Sequence, residues 1–165
     1  MNFDRVARSY RVLETIAFGN ALQRARVQWL NKLPKCRRAL VVGEGNGRFL
    51  VKLLRMQPDL QVECVDASRR MLKLARRRVE REIPNALPRV QFRHDNIQAS
   101  QIDLSGCDLI VTHFVLDCFD EDGLRHVVPK LAASAAPNAI WLFSDFCVPP
   151  ETFQRFKAKL WLKAM

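Results

Sequence analysis

No stretch of the chain approaches the roughly 18 consecutive apolar residues that a membrane-spanning helix needs. The opening residues, MNFDRVARSYRVLE, carry charges where a secretory signal would be apolar. A cytoplasmic protein with no membrane partner is therefore expected. CxxC pairs are also missing. The cysteines Cys36, Cys64, Cys107, Cys118 and Cys147 are odd in number and scattered, which argues against a disulfide framework or a zinc site and for reduced thiols. Only His94, His113 and His126 supply imidazole, none at metal-ligand spacing, so no metal is expected. Low-complexity tracts and long-period repeats are absent as well, and 165 residues with 48% hydrophobic content read as one globular domain. Glycine is scarce, with six in all, yet three of them, Gly43, Gly45 and Gly47, crowd into five residues.

What the chain has in excess is positive charge, a formal +10 at neutral pH. Such an excess attracts nucleic acid or acidic partners. Much of it lies in SRRMLKLARRRVERE, where Leu72, Ala75, Val79 and Ile83 recur at helical spacing beneath Arg69, Arg70, Lys73, Arg76, Arg77, Arg78 and Arg81. No aromatic residue interleaves with these cations to stack bases. The run reads as the solvated face of an outer helix, with nucleic-acid binding kept open but not favoured.

Along the chain, apolar runs alternate with turns and helical patterns, the rhythm of a parallel α/β sheet. The spacing predicts strands over residues 39–42, 61–65, 89–94, 108–113 and 139–145, and helices over 47–56, 68–82 and 121–135. Two further helices, over 3–17 and 21–33, precede them. The expected architecture is a doubly wound, mainly parallel, Rossmann-like α/β sheet in a single domain. Residues 1–35 would form an N-terminal helical cap, 36–146 the core and 147–165 an amphipathic tail helix. In such a sheet, ligands bind beyond the carboxyl ends of the strands where the strand order reverses. The glycine turn follows the first strand and belongs there.

The chemistry of that turn narrows its ligand. A phosphate loop needs Lys and then Ser or Thr after its last glycine, but here Arg48 and Phe49 follow. The segment GEGNGR is not the dinucleotide pattern GxGxxG, and Glu44 would set a carboxylate where a pyrophosphate wants a positive helix end. A ligand with an ammonium or sulfonium suits a carboxylate better, and S-adenosylmethionine is one. Asp66, 19 residues after Gly47 at the end of the second strand, is placed to accept ribose hydroxyls. It could equally cap the following helix, as could Ser68.

The segments VVGEGNGRFL, VDAS, FRHDNI and DLIVTHFVLDCF resemble, in this order, the cofactor motifs of class I S-adenosylmethionine-dependent methyltransferases. The opening FDRVARSYRVLE resembles the first helix of small-molecule members. The resemblance implies that Gly43, Gly45 and Gly47 let the cofactor's methionine part approach the backbone and that Asp66 holds its ribose. Ala67 and Met71 would flank adenine, Asp95 and Asn96 would hydrogen-bond it, Thr112 and His113 would face the sulfonium, and Tyr10 would reach the cofactor. S-adenosylhomocysteine would be the product. The family's acid two residues before the first glycine is Val41 here, which leaves Glu44 as its substitute. Its Pro-Gly-Gly turn before the fifth strand is Pro137, Asn138, Ala139, and Asn tolerates left-handed backbone. The family's last strands are missing, so the amphipathic tail is expected to cover the fifth-strand edge or to join a second copy of the chain.

Fold and cofactor do not set the acceptor. Exocyclic-base methylation is disfavoured, because Thr112, His113, Phe114 and Val115 replace the Asn or Asp, Pro, Pro, aromatic motif of such enzymes. For a hydroxyl acceptor, His113 is the candidate base, with Asp117 orienting or replacing it if HFVLD turns helical. A neutral His113 lining the pocket is the other reading, since proximity alone accelerates methyl transfer. The segment Ser144 to Phe146 lies on the ligand edge. Three functions stay open: a methyltransferase acting on a small molecule, which is favoured, an RNA methyltransferase using the basic helix, and a non-catalytic domain on the same fold.

Overall fold

Residues 21–99 and 105–146 are described by the structure, a computed structural model. The segments expected to form the first cap helix, with Tyr10, and the tail helix lie outside them. Five strands, β1 (Arg38–Val42), β2 (Gln61–Asp66), β3 (Val90–His94), β4 (Cys107–His113) and β5 (Ala135–Ser144), form one sheet in the order β3-β2-β1-β4-β5. Every neighbouring pair is parallel. The chain steps outward from β1 to β3 and then returns to place β4 on the other side of β1. The strand order therefore reverses between β1 and β4, at their carboxyl ends.

The strands are near-continuous apolar runs because both sheet faces are covered. Alternation along each strand divides the core in two. Ala39, Val41, Cys64, Leu109 and Val111 pack beneath α2 (Arg48–Met56) and α3 (Arg69–Glu82). Leu40, Val42, Val65 and Ile110 pack beneath α4 (Glu121–Ala133). Phe49, Leu50, Leu53 and Leu54 of α2 are almost wholly buried, and each such side chain contributes about 1.5–3 kcal/mol. Ser68 caps α3 by accepting from the Met71 N–H at 3.2 Å, and Asp120 caps α4 by accepting from Gly123 N–H at 2.8 Å.

Two boundaries differ most from the sequence expectation. The second cap helix, α1 (Ala21–Val27), stops early and gives way to a single 3-10 turn at Leu30–Lys32. Leu33, the residue before Pro34, is extended at φ −68° and ψ 131°, as steric conflict with a following proline demands. Strand β5 starts at Ala135, opposite Cys107, and not at 139. A register irregularity after Cys107 absorbs the extra residues, with Asn138 left-handed at φ 64°. The Pro137, Asn138, Ala139 segment is thus a kink within the strand. Pro137 is tolerated because β5 is the outermost strand of the described sheet.

Candidate active site

The turn from β1 into α2 uses its three glycines for different purposes. All are left-handed, with φ of 66°, 71° and 81° at Gly43, Gly45 and Gly47, a region that costs other residues roughly 1–2 kcal/mol. A Cβ on Gly43 would lie 2.5 Å from Val115 Cγ2, and one on Gly47 would lie 2.7 Å from Ala75 Cα in α3. These two glycines permit close packing. A Cβ on Gly45 would meet nothing within 4 Å, so here the backbone faces open space that a ligand could enter. Of the three glycines assigned to the cofactor, Gly45 alone has that open face.

Glu44 does not simply project into the site. Its Oε1 accepts from the Phe49 and Leu50 N–H groups, each at 3.1 Å, and so caps the N-terminus of α2 from within the turn. Burial pushes its carboxyl up to about 7, against the opposing pull of the Leu50 N–H, the Arg26 charge and the Phe49 N–H. Asp66 stands at the end of β2. Its Oδ2 accepts from Gly45 N–H at 3.3 Å and its Oδ1 from Ser68 N–H at 2.8 Å. Helix capping falls to Ser68, and the Asp66 carboxylate links the glycine turn to the start of α3.

Beyond Asp66, Ala67 is exposed and Met71 half-buried. Asp95 N–H donates to Asp66 O at 3.2 Å, which holds the end of β3 to that of β2. Asn96 is turned to its own loop, with Oδ1 accepting from Gln98 N–H at 3.1 Å. His94 fastens the same corner: Arg69 Nε donates to its Nδ1 at 3.1 Å, leaving Nε2 to donate to Ala67 O at 3.0 Å. Gly45, Asp66, Ala67, Met71 and Asp95 thus gather on one side of the reversal point.

The other side is formed by β4, β5 and α1. Thr112 and His113, adjacent in β4, point to opposite sheet faces. Thr112 is fully buried and its hydroxyl accepts from Trp141 Nε1 at 2.8 Å. That places it on the α4 side, away from His113. His113 stacks edge-on against Phe49 with ring centroids 4.7 Å apart, and its Nδ1 lies 3.0 Å from Ser144 Oγ. Its Nε2 is buried with no hydrogen-bond partner among the described residues. Burial, aided by the Arg26 charge, holds the imidazole down to about 4.

Asp117 does not orient His113. Phe114 breaks the strand with a left-handed φ of 55°, and a 3-10 turn follows at Leu116–Cys118. The helical HFVLD on which that role was conditional therefore does not form, and Ser144 takes the place beside the imidazole. Burial and then the Asp145 carboxylate hold the Asp117 carboxyl above its usual range. Burial and these two acids push the Cys118 thiol up to about 11, which keeps it protonated at neutral pH. Phe114 and Phe146 pack at 5.0 Å between centroids, and the Arg26 guanidinium lies 5.2 Å over the Phe114 ring.

Arg26 had no signal in the sequence beyond its place in a basic, helical QRARV segment, yet its charge acts on both Glu44 and His113. Among the described residues, no group of His, Cys, Asp and Glu could hold a metal ion, and no helix is long and apolar enough to cross a membrane. The arrangement suits a ligand lying across the reversal point. Its polar end would meet Asp66 and the Gly45 backbone, and its other end would approach an apolar wall carrying one unsatisfied imidazole nitrogen.

A family model described as a methyltransferase domain matches residues 39–138. The chain is 36% identical over 69 residues to a ribosomal RNA large subunit methyltransferase G of Aeromonas salmonicida, covering 41% of this chain and 18% of that protein. It is 29% identical over 120 residues to a malonyl-(acyl-carrier protein) O-methyltransferase of Halalkalibacterium halodurans, covering 71% and 41% respectively. It therefore spans less than half the length of either relative. Among solved structures, it resembles the N-methyltransferase NodS from Bradyrhizobium japonicum in complex with S-adenosyl-L-homocysteine. The TM-score is 0.55 at 20% identity, over 70% of this chain and 53% of that one.

Proposed function

The chain belongs to the methyltransferase-domain family, and from that premise we propose that it is an S-adenosylmethionine-dependent methyltransferase acting on a small-molecule acceptor. One observation carries the reading: a left-handed glycine with an open face, Gly45, stands beside an acid, Asp66, where the strand order reverses. The fit to the cofactor is good. Asp66 can accept ribose hydroxyls, Gly45 permits backbone contact, and Ala67, Met71 and Asp95 border the space an adenine would take. When bound, S-adenosylmethionine supplies a sulfonium methyl for in-line displacement and is left as S-adenosylhomocysteine.

The remaining residues shape the acceptor side. A His113 pKa of about 4 makes the ring a poor base; protonating it at pH 7 would cost on the order of 4 kcal/mol. Its part is to stay neutral and offer Nε2 as a hydrogen-bonding point that aligns the acceptor, since near-attack alignment supplies much of the acceleration in such displacements. Ser144 fixes the ring through Nδ1. Phe114 and Phe146 add apolar surface that excludes water.

The likeness to a ribosomal RNA methyltransferase favours a second reading, with RNA as acceptor. Against it, several cations of α3 are paired within the protein, Arg76 with Glu80 and both Arg78 and Arg81 with Glu82. The helix also packs through Leu72, Ala75 and Val79, which leaves Arg70, Arg76 and Arg77 exposed on its outer side. Incubation with methyl-labelled S-adenosylmethionine, a metabolite extract and total RNA separates the readings. Label should enter the small-molecule fraction and vanish with Asp66→Ala. Label in RNA would establish the second reading, and cofactor binding without transfer would make the domain non-catalytic.

A further inference from the structure

The basic helix α3 is more than a solvated surface. Ala75, Arg78 and Glu82 recur at spacings of three and four and so share one face of the helix. That face meets the glycine turn. The Ala75 backbone leaves no room for a side chain at Gly47. Arg78 Nε donates to the Asn46 carbonyl at 2.9 Å, while its Nη1 donates to Glu82 Oε1 at 3.0 Å. Glu82 also receives Arg81 Nη2 at 2.9 Å. The Arg78 side chain is 21% exposed against 59% for Arg76 two residues before it, so its bond to the turn is shielded from competing water.

Asn46 lies between Gly45 and Gly47, two left-handed residues without side chains to hold them. The turn is fixed from one side by Asp66 at the Gly45 N–H and from within by Glu44 at the start of α2. Its outer side is held by Arg78. A charged donor on a backbone carbonyl makes a stronger bond than a neutral one, and Glu82 orients the guanidinium for it.

We propose that Arg78 is a positioning residue for cofactor binding, fixing the Asn46 carbonyl so that the Gly45 backbone keeps the conformation the cofactor meets. This rests on the assignment of the cofactor to the glycine turn, and it separates Arg78 from Arg77, its exposed neighbour on the same helix. The requirement spans 32 residues of sequence.

The test compares Arg78→Met, Arg78→Lys and the control Arg77→Met in the whole chain. Without any ligand, backbone amide exchange over residues 43–48 should quicken in Arg78→Met and stay unchanged in Arg77→Met. With S-adenosylhomocysteine, calorimetry should show about tenfold weaker binding for Arg78→Met, as expected for loss of one charge-assisted bond. Arg78→Lys, which keeps a donor, should fall between. Where turnover is measurable, KM for the cofactor should rise while kcat at saturation holds. Equal exchange and equal affinity in the Arg78 and Arg77 variants would overturn the proposal. Should Arg78→Met fail to fold, the comparison of Arg78→Lys with Arg77→Lys decides it by the same two readouts. If the unaltered chain binds no S-adenosylhomocysteine, the cofactor assignment fails, and the ligand-free exchange still tests whether Arg78 holds the turn.

Discussion

The two sides of the carboxyl edge differ in how their polar atoms are satisfied. On the side made by β1, α2, β2 and α3, the charged groups are already partnered: Glu44 caps a helix, Asp66 bridges two N–H groups, and Arg78 holds a carbonyl. On the side made by β4 and β5, His113 keeps a buried nitrogen without a partner among the described residues, and burial followed by the Asp145 charge holds the Asp117 carboxyl above its usual range. A preorganised half suits a ligand that is the same at every turnover. An unsatisfied half suits one whose own groups complete it.

The contrast breaks most sharply within the glycine turn. Gly47→Ala forces a Cβ into the Ala75 backbone in addition to the left-handed strain, and should cost roughly 2–5 kcal/mol of stability in denaturant titrations. Gly45→Ala has only the backbone strain, about 1–2 kcal/mol. It should stay folded while losing cofactor affinity. Equal destabilisation by both would remove the distinction between packing and ligand glycines. Next in size is Asp66→Ala, which should weaken S-adenosylhomocysteine binding by about 10- to 100-fold, read by calorimetry.

On the other side, His113→Asn should lower kcat by less than about tenfold, whereas loss of a true general base would cost 100-fold or more. The pH-rate profile should show no step from His113 between pH 6 and 8. The last contrast concerns Glu44. Its folded pKa of about 7 exceeds the ordinary 4.5, so its contribution to stability is fully present below 4.5 and is lost as pH rises through 7. His113 works the other way: with its pKa lowered from 6.5 to about 4, its contribution holds above 6.5 and is lost as pH falls through 4. The difference in melting temperature between the unaltered chain and Glu44→Gln should isolate the first effect, with the variant gaining relative stability as pH rises from 4.5 to 7. A pH-independent difference would mean that Glu44 titrates normally.

What the sequence made legible was local. Alternating apolar runs and helical spacing placed all five strands, and the glycine turn and Asp66 fell where the fold puts its ligands. What it hid depends on contacts between distant segments. Arg26 and Arg78 join the site across gaps that no periodicity encodes. Thr112 looked like a ligand residue beside His113, but strand alternation sends it to Trp141 on the opposite face. Asp117 looked like a partner for His113 on the assumption of a helix, and the left-handed Phe114 removed that geometry. The early start of β5 reflects a register irregularity against β4, set by pairing and not by the strand's own residues.

The central claim, that the open face of Gly45 beside Asp66 is where the cofactor meets the backbone, is tested most directly by titrating S-adenosylhomocysteine into the chain while following backbone amides by NMR. The amides of residues 43–50 and 66–68 should shift first and most, in saturable fashion, with Arg76 and Arg77 unmoved. No saturable shift, or shifts centred on α3 with Gly45 unchanged, would contradict it.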